Sequence, residues 1–379
     1  MSNDKICVFP WDSLAIRPNG EALPCAVYTV PHEYKIRNNI RDSDVRNNED
    51  WKNLRTKIFN GETVPECYHC HRLENSGVNS VRTYRLQETE FRPTNIEPVK
   101  LNFLEMSFNN LCNLACVSCN AWHSTTWATE DHKHGRSNPD RPKILIESNG
   151  DLDKLDLSEL RSLKIIGGEP FMDQNNFVKL MERLDLSKIG LVVSTNGTNF
   201  PNKRLEYLIN QCNSVKLEVS IDGIGPVNEW YRWPTKMPQV ESVMNYFQDQ
   251  QTTNNRIELR THSLINIFNI WTLDEFVIYL NDRYPNWNCT WDWIKSPHWQ
   301  ELCLIPEPHK SMLKEKLQHW YKTIPARPEP VNLFKISMDR LDDIPRSTLE
   351  EFKKRTLELE KERGLNVKEM VPGIGLLLD

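Results

Sequence analysis

From residue 101 onward the chain repeats one pattern: a short apolar run, a turn, then apolar residues at helical spacing. Leu101 to Phe108, Leu163-Lys164-Ile165-Ile166, Ile189-Gly190-Leu191-Val192-Val193, Val215 to Val219, Ile257-Glu258-Leu259-Arg260 and Cys289 to Trp293 predict six strands. Between them Phe177-Leu180-Leu184, Leu205-Leu208-Ile209, Val243-Tyr246-Phe247 and Leu273-Phe276-Val277 predict helices. Strands that alternate with helices in this way form βαβ units around a parallel sheet. The last stretch differs. Leu313, Leu317 and Trp320 fit one helix, and Leu349, Phe352, Leu357 and Leu359 another, with Pro325, Pro328 and Pro330 between them. The charged run Glu350-Glu351-Phe352-Lys353-Lys354 reads as a solvated helix face.

Before residue 95 the pattern is irregular. Leu14-Ala15-Ile16-Arg17 predicts a short strand, and Pro18-Asn19-Gly20-Glu21 a hairpin turn returning through Ala22-Leu23-Pro24. The polar residues Arg37 to Glu49 predict a surface excursion. Trp51, Leu54, Ile58 and Phe59 then recur at helical spacing, and Gly61 ends that helix. The segment Arg92-Pro93-Thr94-Asn95-Ile96-Glu97-Pro98 reads as a linker. The expected organisation is therefore an N-terminal module over 1–95, an α/β domain over 96–300 and a helical extension over 301–379.

Composition narrows the classes. A chain of 379 residues with net charge -5 is long enough for a sizeable core and slightly acidic. That argues against a nucleic-acid-coating surface. No apolar run reaches the ~20 residues of a membrane span, and Met-Ser-Asn-Asp-Lys lacks the form of a signal peptide. The expectation is a cytoplasmic protein with no membrane or nucleic-acid partner. In a reducing compartment its ten cysteines are poor disulfide candidates. Cys212, Cys289 and Cys303 are scattered and read as ordinary buried thiols; the other seven fall into two groups.

Cys112, Cys116 and Cys119 stand within eight residues, spaced Cys-x3-Cys-x2-Cys. A four-iron cubane takes four terminal ligands, usually all cysteines, so three local thiolates leave one iron for another ligand. The same spacing would also place the three on one helix face as small core residues. Asn109, Asn110, Asn113 and Asn120 argue instead for a loop. The second group is Cys7 and Cys25, brought together by the hairpin, with the knuckle Cys67-Tyr68-His69-Cys70. Four cysteines so arranged form a metal site, and with His69 and His71 nearby the residue types leave zinc and iron–sulfur both open.

The three-cysteine spacing resembles the Cys-x3-Cys-x-aromatic-Cys signature of the radical S-adenosylmethionine (SAM) superfamily, with Ser118 where an aromatic is usual. In that family the fourth iron is chelated by the amino and carboxylate groups of SAM. Motifs following the later strands extend the resemblance. Gly167-Gly168-Glu169-Pro170 is similar to the GGE(P) motif that holds the SAM amine. Ser194-Thr195-Asn196-Gly197 resembles the family's Thr-Asn-Gly, and Ser220-Ile221-Asp222-Gly223 its Ser-hydrophobic-Asp-Gly. Arg232 stands where relatives often carry an arginine able to pair with the SAM carboxylate. The N-terminal group, Cys7-x12-Gly20-x4-Cys25 with Cys67-x2-Cys70, is similar to SPASM and twitch modules. Those modules carry auxiliary four-iron clusters but normally follow the barrel rather than precede it.

The resemblance implies an α/β fold, a partial (β/α)6 TIM-type barrel with a small N-terminal iron–sulfur module and a helical tail. By analogy with closed barrels, the active site would lie at the C-terminal ends of the strands. It implies two [4Fe-4S] clusters, SAM, and an electron donor such as a flavodoxin or ferredoxin. The cluster at Cys112, Cys116 and Cys119 would cleave SAM reductively to a 5'-deoxyadenosyl radical, which takes hydrogen from a substrate. A peptide or protein side chain is the leading substrate class; a small metabolite or cofactor precursor is the alternative. From another class comes a non-catalytic zinc-binding interaction protein, which would give no reason for the strand-end motifs.

Overall fold

The N-terminal hairpin does not stand apart from the strands that follow it. In the computed structural model, which describes residues 6–29, 39, 45–75, 79–136, 152, 155–325 and 333–379, β1 (Ser13–Ile16) pairs antiparallel with β2 (Ala22–Leu23). The turn between them closes with Arg17 N–H donating to Glu21 O at 2.9 Å and Gly20 N–H to Arg17 O at 2.9 Å. Gly20 takes φ +77°, which a glycine adopts without steric cost. On its other side β1 lies parallel to β3 (Phe103–Ser107), with Ser13 opposite Phe103 and Ile16 opposite Met106.

The six expected strands all form. They are β3, β4 (Ser162–Ile166), β5 (Gly190–Thr195), β6 (Ser214–Ser220), β7 (Ile257–Ile265) and β8 (Asn288–Trp293). One sheet runs in the order β2-β1-β3-β4-β5-β6-β7-β8. The pairs β3–β4, β4–β5 and β7–β8 are parallel. The expected helices span Gln174–Met181, Lys203–Ile209, Met237–Thr253 and Leu273–Arg283. This is a mixed α/β architecture built on an eight-stranded sheet, with two hairpin strands added at its first edge.

Burial along β7 shows how the strands are used. Ile257, Leu259, Thr261, Ser263 and Ile265 are buried, while Glu258, Arg260, His262 and Leu264 are half-buried. Parallel strands covered on both faces read as continuous apolar runs. Here one face is packed and the other carries charge, so the alternation survives.

Two compact units divide the chain: Met1–Leu111 with Asn138–Val193 and Pro201–Val215, and Cys112–Ser137 with Ser194–Phe200 and Lys216–Asp379. In the first, Trp11, Ala15, Leu23, Tyr28, Leu54, Ile58 and Val64 form a core against which Cys7, Cys25 and Cys67 pack. The helix Glu49–Phe59 ends as Gly61 predicts. Gly61 N–H donates to Ile58 O and Glu62 N–H to Lys57 O, with Gly61 at φ +74°. Arg55, wholly buried, donates to Arg46 O at 2.7 Å and to Ile96 O. Of the excursion from Arg37 to Glu49, residues 37–38, 40–44 lie outside the described residues; Val45–Asn47 is a short 3-10 helix.

In the second unit the tail forms the helices His309–Thr323, Leu333–Arg340 and Leu349–Arg363. Pro328 and Pro330 lie outside the described residues. The helix Leu349–Arg363 buries Phe352, Thr356, Leu359 and Arg363, spaced for one face; Leu357, expected on that face, is exposed. Phe268 fixes this helix: its ring centroid lies 5.5 Å from Phe352, 5.9 Å from Tyr231, 6.0 Å from Trp299 and 6.1 Å from Trp230. No helix among the described residues is long and apolar enough to cross a membrane.

Because Phe268 is fully buried at the centre of these rings, Phe268→Ala is expected to cost about 3–5 kcal/mol. Urea denaturation of wild type and variant measures it; a loss below about 1 kcal/mol would show that the rings do not hold the tail.

Candidate active site

The segment carrying Cys112, Cys116 and Cys119 is neither helix nor strand. The three cysteines therefore do not share a helix face. Buried peptide groups in an irregular loop need partners from elsewhere, and here they come from distant parts of the chain. Thr126 Oγ1 donates to Cys112 O at 2.7 Å, and Ser124 Oγ to Leu114 O at 2.5 Å. Residues 115 and 117 pair with the end of the helix Gly225–Tyr231 and the turn that follows it: Ala115 N–H donates to Trp233 O at 2.6 Å and Val117 N–H to Tyr231 O at 2.7 Å. Gln300 Nε2 donates to Val117 O at 2.8 Å, while Gln300 Oε1 accepts from Tyr231 Oη at 2.7 Å. Trp127 Nε1 donates to Cys116 O at 2.8 Å, and Arg363 Nη2 to Ala115 O at 2.7 Å.

Several expected site residues meet this loop. Asn196 Nδ2 donates to Asn113 Oδ1 at 3.0 Å and stands 3.8 Å from Cys112 Sγ. Thr198 joins the same network, receiving a bond from Asn113 Nδ2 at 2.9 Å. Ser194 is turned to a different partner, with Oγ donating to Glu218 Oε2 at 2.7 Å. Asp222 is buried, with Oδ1 accepting from Leu264 N at 2.6 Å and Oδ2 lying 2.8 Å from Arg232 Nε. The carboxylate thus orients the Arg232 guanidinium. Burial pulls the Arg232 pKa down, but Asp222, followed by the Cys116 thiol, more than restores it, and the net shift is upward. Ser220 is half-buried at the end of β6.

Gly167 and Gly168 follow β4 with φ +82° and +35°. A Cβ on Gly167 would lie 2.2 Å from Ser107 Oγ, and one on Gly168 2.3 Å from Leu111 O. Both glycines are therefore required by contact as well as by backbone conformation. Glu169 N–H donates to Leu111 O at 2.7 Å, one residue before Cys112. Its buried carboxylate accepts from Phe171 N–H at 3.1 Å, and Pro170 opens the short helix Pro170–Met172.

The N-terminal thiols also converge. Burial pushes the Cys7 thiol well above its ordinary pKa, and the neighbouring Cys25, Cys67 and Cys70 push it further. Burial raises Cys25 and Cys67 from 9.0 to about 12. At the other loop, burial raises Cys119 to about 12, with Cys116 and Cys112 adding to the shift. Cys116 is raised by burial against the opposing pull of Arg232 and Arg363. Cys212, Cys289 and Cys303 are buried, as ordinary core thiols.

Two family models match the chain: a SPASM iron–sulfur cluster-binding domain over residues 7–71, and a 4Fe-4S single cluster domain over residues 105–227. The chain thus carries a SPASM iron–sulfur cluster-binding domain and a 4Fe-4S single cluster domain. No curated protein matches it. Among solved structures, anSMEcpe with bound AdoMet is similar at 16% identity and TM-score 0.41, over 58% of this chain and 60% of that one. A form of anSMEcpe with AdoMet and the Cp18Cys peptide is similar at 18% identity and TM-score 0.41, over 59% of this chain and 60% of that one. SuiB of Streptococcus suis bound to S-adenosylmethionine is similar at 13% identity and TM-score 0.33, over 72% of this chain and 62% of that one. The chain thus spans about three-fifths of the length of those structures.

Both cysteine groups fit iron–sulfur clusters in their donor chemistry. Thiols buried together with raised pKa values are poor places for isolated charge, but a cluster takes them up as thiolates. Three donors suit a cluster with one iron left over, and four suit a closed one. Among the described residues no group of three His, Cys, Asp or Glu side chains is set to hold a single metal ion.

Sequence reasoning missed several residues that serve this site. Asn113 and Thr198 sit inside or beside motifs and could have been read from them. Trp127, Gln300 and Arg363 could not, except that Arg363 falls on the apolar stripe of its helix, where a cation is out of place. Further along the sheet His262 Nε2 lies 3.5 Å from Asp292 Oδ2. Burial works against charge on His262, but the Asp292 and Glu218 carboxylates win and raise its pKa.

Two outcomes follow from these contacts. Gly168→Ala should displace Leu111 and with it the start of the cysteine loop, losing about half of the iron that two four-iron clusters hold while the circular dichroism stays native. Full iron retention would show that the loop tolerates the added methyl. The second concerns the iron-free protein. Its folded thiols hold protons more tightly than the unfolded chain, so the unfolded state deprotonates first and gains. Stability should fall as pH rises from 9.0 toward about 12. Thermal midpoints between pH 8 and 11 would show it, with a shallower slope for the Cys25→Ser, Cys67→Ser double variant.

Proposed function

We propose that this chain binds SAM at the cluster held by Cys112, Cys116 and Cys119 and uses it to oxidise a peptide or protein side chain. The observation that carries the reading is the three-cysteine loop itself, irregular in backbone yet tied down by side chains of three separate segments. When bound, the cluster supplies the electron that breaks the C5'–S bond of SAM, giving methionine and a 5'-deoxyadenosyl radical that takes a substrate hydrogen atom.

The chain's own residues bind, orient and accept protons. Gly167 and Gly168 open backbone for SAM, and the buried Glu169 carboxylate holds its ammonium group. Arg232, oriented by Asp222, would pair with the SAM carboxylate, and Pro170, Asn196, Ser194 and Ser220 are the further candidate SAM contacts. His262 Nε2, paired with Asp292, would be a candidate acceptor for the proton that substrate oxidation releases. Cys7, Cys25, Cys67 and Cys70 would hold a closed cluster with no iron left open, which would supply an acceptor for the electron released with it. The half-buried, charged alternation of β7 supports a polar substrate. A flavodoxin or ferredoxin is the class of reductant such a cluster needs.

Anaerobic, reduced, cluster-replete protein should release 5'-deoxyadenosine from SAM, read by chromatography, and Cys112→Ala should release none. Cys67→Ala should still cleave SAM but fail to convert substrate supplied as cell extract. Digesting the extract beforehand with a protease, then removing the protease, should abolish substrate conversion. Persistence of conversion would move the assignment to a small metabolite. A replete wild type that never forms the nucleoside would overturn the reading.

A further inference from the structure

The cation that the C-terminal helix brings to the cysteine loop does more than fill space. Arg363 ends the helix Leu349–Arg363, and its side chain is 2% exposed. Nη2 donates to Ala115 O at 2.7 Å and lies 3.1 Å from Glu130 Oε2. The guanidinium carbon stands 5.1 Å over the ring of Trp127, whose indole N–H donates to Cys116 O at 2.8 Å. Nε and Nη1 have no hydrogen-bond partner among the described residues. A guanidinium cannot shed its proton, so a buried one with two unspent N–H edges is costly. A neutral amide could have supplied the bond to Ala115 O. The charge itself therefore has a use.

We infer that Arg363 is a positioning residue of the three-cysteine site whose charge raises the reduction potential of the cluster bound there. The inference rests on the cluster assignment above. A cluster ligated by thiolates gains one negative charge on reduction, and net charge and burial around a cluster set its potential. A fixed cation beside Cys116 favours the reduced form, and Glu130, its partner, opposes it. The C-terminal extension thus contributes to electron uptake through one side chain.

The test is a redox titration of the two-cluster protein, followed by the paramagnetic signal of the reduced cluster. Arg363→Gln should take up the electron about tenfold less favourably, a fall of about 59 mV for one electron. Glu130→Gln should move the potential the opposite way, and Arg363→Lys, which keeps the charge, should stay near wild type. The signal of the N-terminal cluster should not move in any variant. Opposite shifts on removing opposite charges are not expected of a purely structural contact. Shifts of the same sign, no shift with iron retained, or loss of the cluster in all three variants would each overturn the inference. A wild type lacking any signal that Cys112→Ala abolishes would instead overturn the cluster assignment.

Discussion

A cluster with one iron to spare demands three thiolates close together on a chain that is neither helix nor strand. Every peptide group freed in this way must find a partner, or the loop pays for its burial. In this chain the partners are Ser124, Thr126, Trp127, Trp233, Tyr231, Gln300 and Arg363. They span nearly 240 residues of sequence. Holding the loop rigid before metal binds lowers the ordering cost of bringing three like-charged donors together. The aromatic cluster around Phe268 belongs to the same design, because it seats the helix that ends in Arg363.

The same logic governs the glycines after β4. Gly167 packs on Ser107, and Gly168 packs on Leu111, so a side chain at either would meet the strand end or the loop it feeds. β3 lies parallel to β4, and β4 to β5, so three strands end at one edge of the sheet. In the N-terminal module the equivalent constraint is the apolar core of Trp11, Leu54 and Ile58, on which Cys7, Cys25 and Cys67 rest.

Strand positions and cysteine groups were legible because both are local. Apolar periodicity marks a strand wherever one face is packed, and β4 and β6 fall within a residue or two of the runs that predicted them. Ligand spacing survives in sequence because a cluster's size is fixed. The pairing of β1 with β3 was not legible: nothing in Ser13–Ile16 says which strand will accept it, since the backbone bonds that join them carry no side-chain code. The exposure of Leu357 was missed for a related reason, since helical spacing gives a stripe but not its width.

Roles set by charge were the least legible. Arg232 reads from the resemblance as a partner for the SAM carboxylate, but nothing in the spacing says that Asp222, ten residues earlier, fixes its guanidinium. His262 and Asp292 lie on different strands and meet only through the register of β7 on β8. By itself, then, the sequence determined the strands, the two cysteine groups and the motifs at the strand ends, because each is written in neighbouring residues. Tertiary structure alone decided which distant side chains hold the cysteine loop and which charges stand beside its thiols, because hydrogen bonds and Coulomb forces act through space and leave no mark on spacing.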